Sequence, residues 1–161
     1  MNATGHSLIK ERMKEEHALR AGELSGHIMF GDNYYGFDDA LYGALLLIDI
    51  VARSGRPLSE WLAEFPHFVS TAELRYPATE ETKFEIVGRA IEHFRKDHEV
   101  IDVDGARVLF GDGWGLIRAS NTEPVLVARY EARSAERLQE IRSTMEGWLQ
   151  GEGIGGPSVG H

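Results

Sequence analysis

The sequence predicts an α+β fold, and three observations carry that prediction. From residue 68 onward, short apolar stretches with the alternation of half-buried strands follow one another, and only two segments have a helical period. Asp104-Gly105 stands between two of these stretches, a dipeptide that favours a tight type I′ hairpin and hence antiparallel neighbours. Strands running this way, with helices segregated to one face, define the class.

Taken in order, Ser7 caps a surface helix over 7–16 whose apolar side is Leu8, Ile9 and Met13. Gly22 to Phe30 reads as a polar loop leading into a strand. Asp38 is the expected N-cap of the next helix, with Phe37 and Tyr42 as its hydrophobic staple, and Leu41, Ala44, Leu45, Ile48 and Ala52 form its apolar face. Gly55 and Pro57 end it, and a short helix over 58–65 stops at Pro66, so 55–66 approaches a domain boundary. A strand is expected over 68–76. Thr79, Glu80 and Glu81 then open a helix packing Phe84, Val87, Ile91 and Phe94. Strands follow at 100–103, 106–110, 116–119 and 125–131. Ser134 opens a last helix carrying Leu138, Ile141, Met145 and Trp148, and the glycine-rich stretch 151–161 reads as a flexible tail.

Composition narrows the function. Twenty-six Asp and Glu against seventeen Lys and Arg give a formal net charge of −9, which argues against a nucleic-acid partner. The absence of cysteine removes disulfides, thiolate nucleophiles and Cys-ligated zinc. The most apolar stretch, 40–52, is interrupted by Gly43 and Asp49 and is too short for a bilayer, and no signal pattern opens the sequence. The expectation is a cytoplasmic protein with no membrane partner.

Two segments carry candidate chemistry. In Arg118-Ala119-Ser120-Asn121-Thr122-Glu123-Pro124, a guanidinium fork, two hydroxyls, an amide and successive main-chain N–H groups match the acceptor oxygens of a phosphate. Taken on residue types alone, the same stretch is also an ordinary hairpin loop with an exposed arginine. Glu23, Ser25 and His27, at i, i+2 and i+4 of extended chain, project to one face and can clasp vicinal sugar hydroxyls, and His6 joins them if its helix folds back. A solvated strand face accounts for that spacing equally. Asp102-Val103-Asp104-Gly105 is a turn and not a metal loop, because alternate residues of a hairpin face opposite ways. Gly111-Asp112-Gly113-Trp114-Gly115 lies between strands and lacks the lysine of a phosphate-binding P-loop. His17, His67, His93 and His98 have no metal-ligand spacing.

Five ordered motifs, Gly5-His6-Ser7-Leu8-Ile9-Lys10, Gly22-Glu23-Leu24-Ser25-Gly26-His27, Gly36-Phe37-Asp38-Asp39, Gly113-Trp114-Gly115 and Arg118-Ala119-Ser120-Asn121-Thr122-Glu123-Pro124, resemble the C-terminal part of the bacterial α-D-phosphohexomutases of the phosphoglucomutase/phosphomannomutase type. The resemblance implies the later part of a third, α/β domain over 1–66 and a fourth, TBP-like domain over 67–150, in a family with four domains around one cleft. It implies that Glu23, Ser25, His27 and His6 contact the sugar. Arg118, Ser120, Asn121 and Thr122 would hold the non-reacting phosphate of a glucose or mannose phosphate. It implies an isomerase that moves a phosphoryl group between O1 and O6 through a phosphoserine donor and Mg²⁺. The phosphoserine loop and the Asp-x-Asp-x-Asp-Arg metal loop occur nowhere in these 161 residues, so neither a catalytic residue nor a Mg²⁺ ligand is assigned here. The departures include Leu24, where similar loops often carry methionine, and 31–33, which lacks a basic residue.

The expected reading is a fragment of such a mutase that is inactive by itself, partnered by an N-terminal half or by self-association through a truncated domain. Two alternatives are a free-standing sugar-phosphate-binding module and an interaction domain with a vestigial anion site.

Overall fold

The computed structural model describes residues 6–23 and 26–159. The chain divides into two compact units, Met1–Pro66 and His67–His161.

In the first unit, α1 (His6–Glu15) starts before Ser7, which is therefore inside the helix and not its cap. Ile9 and Met13 are buried with Met29, whereas Leu8 is exposed. The helix ends where His17 takes a left-handed conformation, φ 51°, with its N–H donating to the Lys14 carbonyl and that of Ala18 to Met13. β1 (Arg20–Gly22) and β2 (Ile28–Phe30) form an antiparallel hairpin.

The N-cap of α2 (Ala40–Ser54) is Asp39 and not Asp38: its carboxylate accepts the Tyr42 N–H at 2.9 Å. Asp38 is drawn instead to His27 and the Ile28 N–H. The Phe37–Tyr42 staple is replaced by Tyr34, stacked on Tyr42 with ring centroids 3.9 Å apart. Gly55, φ 64°, closes α2, and α3 (Leu58–Leu62) follows. The apolar face of α2 does not form a core, because Leu41, Leu45 and Ile48 are all exposed.

The second unit is an antiparallel sheet with two helices. The single strand expected over 68–76 is two, β3 (Val69–Ser70) and β4 (Leu74–Pro77), both paired with β8 (Val125–Ala132). The break lies at Thr71, whose hydroxyl accepts the Tyr130 N–H at 3.1 Å while its own N–H donates to the Tyr130 carbonyl. α4 (Lys83–Phe94) faces the core with Ile86, Ala90 and Phe94, and Phe84 is turned outward.

β5 (Glu99–Ile101) and β6 (Ala106–Leu109) make the expected hairpin, but the register pairs Ile101 with Arg107, leaving a connection longer than two residues. Gly105 has φ +102°, whereas Asp104 does not take a positive φ, so the turn is not type I′. β7 (Gly113–Ala119) runs beside β8, and α5 (Ala135–Gly151) is capped by the Ser134 hydroxyl, which accepts the Arg137 N–H at 3.2 Å.

The expected flexible tail is in part ordered, over the described residues 151–159. The chain turns at Gly153, φ +81°, and β9 (Ser158–Val159) pairs with β4. The strand order is β5-β6-β7-β8-β4-β9, with β3 also on β8.

Alternation sorts each strand between two faces. Ala106, Val108, Ile117, Leu126, Ala128 and Tyr130 pack with Ile141, Met145 and Leu149 of α5 and with the buried face of α4. The intervening residues stand on the side of the sheet away from those helices.

Candidate functional site

The phosphate-type loop is the 120–124 connection between β7 and β8, whose last paired residues are Ala119 and Leu126. Ser120 is buried, and its Oγ accepts the main-chain N–H groups of Thr122 at 3.3 Å and Glu123 at 3.2 Å. The Ser120 oxygen therefore shapes the turn from inside, so the N–H of Thr122 points inward and is not presented to a ligand. Asn121 and Thr122 are exposed at the tip. The Glu123 carboxylate pairs with Arg75, which also reaches Glu73 at 3.1 Å. That pairing offsets the one acidic side chain of the loop.

Arg118 is half-buried on the helix-free side of β7, two residues before Ser120, and among the described residues its guanidinium makes no hydrogen bond or ion pair. The register places Arg107 and Arg129 opposite Leu116, on either side of it, so both are diagonal neighbours of Arg118 on that face. The guanidinium of Arg107 lies over the Trp114 ring, 4.1 Å from its centroid, while Trp114 Nε1 donates to Glu131 at 3.0 Å. Arg129 Nε is buried with no hydrogen-bond partner among the described residues. A buried guanidinium donor with no acceptor is costly, and an anion at this face would supply one. Sequence reasoning missed Arg129. Its signal was the β8 alternation, in which Val125, Val127, Arg129 and Glu131 oppose the core residues Leu126, Ala128 and Tyr130.

In the other unit Glu23 and His27 are arranged differently from the expected strand geometry. Glu23 and His27 are hydrogen-bonded to each other and do not lie along one extended strand. The Glu23 N–H donates to the His27 carbonyl at 2.9 Å, and Gly26, φ +94°, returns its N–H to the Glu23 carbonyl at 3.0 Å. The i, i+2, i+4 rule therefore does not apply, and the turn itself brings Glu23 and His27 together. His27 Nδ1 lies 2.6 Å from Asp38 Oδ2. That hydrogen bond and the Asp38 charge raise the His27 pKa above 6.5, with a smaller contribution from Glu23. Ser25 and the side chain of His6 lie outside the described residues.

Among the described residues no three His, Asp or Glu side chains gather as a metal-ion site. No helix among them is long and apolar enough to cross a membrane.

The second unit is thus a helix-backed antiparallel sheet with a polar hairpin loop following Arg118, and the first is a smaller unit with a histidine beside its hairpin. Residues 1–68 match the phosphoglucomutase/phosphomannomutase α/β/α domain III, and residues 73–147 match the C-terminal domain of the same family. A phosphomannomutase/phosphoglucomutase of Pseudomonas aeruginosa is 43% identical over 152 residues, covering 91% of this chain and 32% of the relative. A phosphoglucomutase of Neisseria meningitidis is 41% identical over 155 residues, covering 93% of this chain and 33% of the relative. A crystal structure of a phosphoglucomutase/phosphomannomutase family protein from Burkholderia thailandensis superposes with a TM-score of 0.78 at 41% identity, over 94% of this chain and 32% of that one. The chain belongs to the phosphoglucomutase/phosphomannomutase family. It spans about a third of the length of the relatives it matches.

Proposed function

We propose that this chain supplies hexose-phosphate recognition to a phosphoglucomutase/phosphomannomutase reaction, as the segment equivalent to the family's last domain and a part of the one before it. Arg118, Asn121 and Thr122 take the phosphate that is not being transferred, and Ser120 holds the loop in shape. Arg129 stands beside Arg118 as a second cation. Glu23, Ser25, His27 and His6 take the sugar hydroxyls, with Glu23 accepting and the His27 ring fixed by Asp38.

The observation that carries this reading is Arg118, a half-buried guanidinium with no protein partner among the described residues, beside a loop whose one carboxylate is already paired. A fixed fork of N–H donors at a phosphate supplies positioning, which is most of what a protein contributes to phosphoryl transfer. The donor serine and Mg²⁺ belong, by the family resemblance, to loops that these 161 residues do not contain.

The test mixes this chain with the N-terminal two thirds of a family member carrying those loops and assays mutase activity with Mg²⁺ on glucose 1-phosphate and mannose 1-phosphate. Activity that appears only in the mixture, and drops with Arg118→Ala, is the expected result. A mixture that is inactive although the two pieces associate would contradict the reading.

A further inference from the structure

Among the described residues Lys83 is the one buried charged side chain, 2% exposed, and the site described above does not use it. Its position is doubly unfavourable. An ammonium loses its hydration when buried, and Lys83 is the first residue of α4, where the helix dipole repels positive charge. An apolar residue at this place would serve the core at least as well. Its Nζ is held by both Glu80 oxygens, at 2.9 and 2.7 Å, and lies 5.2 Å from the Phe84 ring centroid. Those contacts lie within its own helix start. Its hydrogen bond to a distant segment is donated to the Glu123 carbonyl, at 3.1 Å.

That carbonyl is the corner of the 120–124 loop. It also accepts the Val125 N–H at 2.8 Å, and the N–H of Glu123 is one of the two that Ser120 Oγ accepts. Glu123 is thereby clamped through its carbonyl by Lys83, through its N–H by Ser120 and through its carboxylate by Arg75.

We propose that Lys83 is a positioning residue for the phosphate loop: from the buried side it fixes the Glu123 peptide, and with it the turn that carries Asn121 and Thr122 beside Arg118. The proposal deepens the phosphate reading of this loop and rests on it. An ordered loop loses less entropy when it closes on an anion, so the tether raises affinity without touching the ligand.

The test compares Lys83→Met, Glu80→Ala and Arg118→Ala in the full chain by thermal melting, amide hydrogen exchange at residues 120–125 and titration with glucose 1-phosphate. Lys83→Met is expected to keep the melting temperature close to wild type, to speed loop exchange and to weaken glucose 1-phosphate by about tenfold, the size of one lost charged hydrogen bond. Glu80→Ala, which leaves the Glu123 contact in place, is expected to change neither loop readout. Unchanged loop exchange and affinity in Lys83→Met, whatever its melting temperature, would overturn the proposal, as would equal effects from Glu80→Ala. Should Lys83→Met not fold, Lys83→Gln takes its place under the same criteria. If wild type and Arg118→Ala bind glucose 1-phosphate equally, the phosphate reading has failed. Loop exchange alone then decides the tether: faster in Lys83→Met upholds it, unchanged rejects it.

Discussion

In His67–His161 one apolar cluster runs from Leu74 to Leu149 between sheet and helices, whereas in Met1–Pro66 the buried cluster is Ile9, Met13 and Met29, and α2 buries none of its residues. The difference bears on function because the two candidate binding segments inherit the rigidity of their supports. The 120–124 loop joins two long strands that pack on α4 and α5, so its donors are held by a dense core. The Glu23–His27 turn joins two three-residue strands over a small cluster, and local hydrogen bonds hold most of its shape. The exposed Leu41, Leu45 and Ile48 of α2 make an apolar stripe of the kind that stabilises a domain only when something covers it.

The largest expected effect tests that contrast directly. Leu126→Ala, at a fully buried site, should destabilise the second unit by about 2–5 kcal/mol in urea unfolding. Leu45→Ala, at a side chain 65% exposed, should stay within about 0.5 kcal/mol. Equal costs would mean that α2 is covered in solution.

Arg118→Ala comes next and should weaken glucose 1-phosphate binding by about 1.5–3 kcal/mol, read by calorimetry, with little change in stability. Glu23→Ala should spare inorganic phosphate. Gly105→Ala should follow, at roughly 1–3 kcal/mol of stability, because the positive φ resists a side chain and an added Cβ would stand 2.5 Å from the Ile117 carbonyl oxygen and 2.6 Å from Arg118 Cβ. That clash falls on the base of Arg118, so phosphate binding should weaken with it.

The smallest effect is the His27 titration. Its folded pKa is raised, so the His27–Asp38 contribution to stability is fully present below the unfolded value of 6.5 and fades as pH rises through the folded value. NMR of the His27 ring should show a midpoint above 6.5, and Asp38→Asn should bring it back toward that value. A midpoint unmoved by the substitution would remove Asp38 as the cause.

Much of the second unit was legible because strong local signals agreed: the alternation of β7 and β8, the turn residues between them, and Ser134 ahead of the period of α5. The errors fall where tertiary contacts choose between equal local options. Asp38 and Asp39 are chemically the same candidate cap, and the contact of Asp38 with His27 leaves Asp39 to cap α2. The strand rule for Glu23, Ser25 and His27 ignored Gly26, whose positive φ closes a turn. Phe84 was assigned to the core by a period that fits several faces of α4, and docking on the sheet selects the face of Ile86 and Ala90. Arg129 went unnoticed because it lies outside the loop motif, and a strand pairing had to bring it near Arg118.

The most direct test of the central claim is an NMR titration of this chain with glucose 1-phosphate, following the Arg118 Nε–Hε resonance and the amides of 119–123. Saturable shifts at those groups, lost in Arg118→Ala, are the predicted result. An unresponsive loop, or one that responds equally in Arg118→Ala, would contradict it.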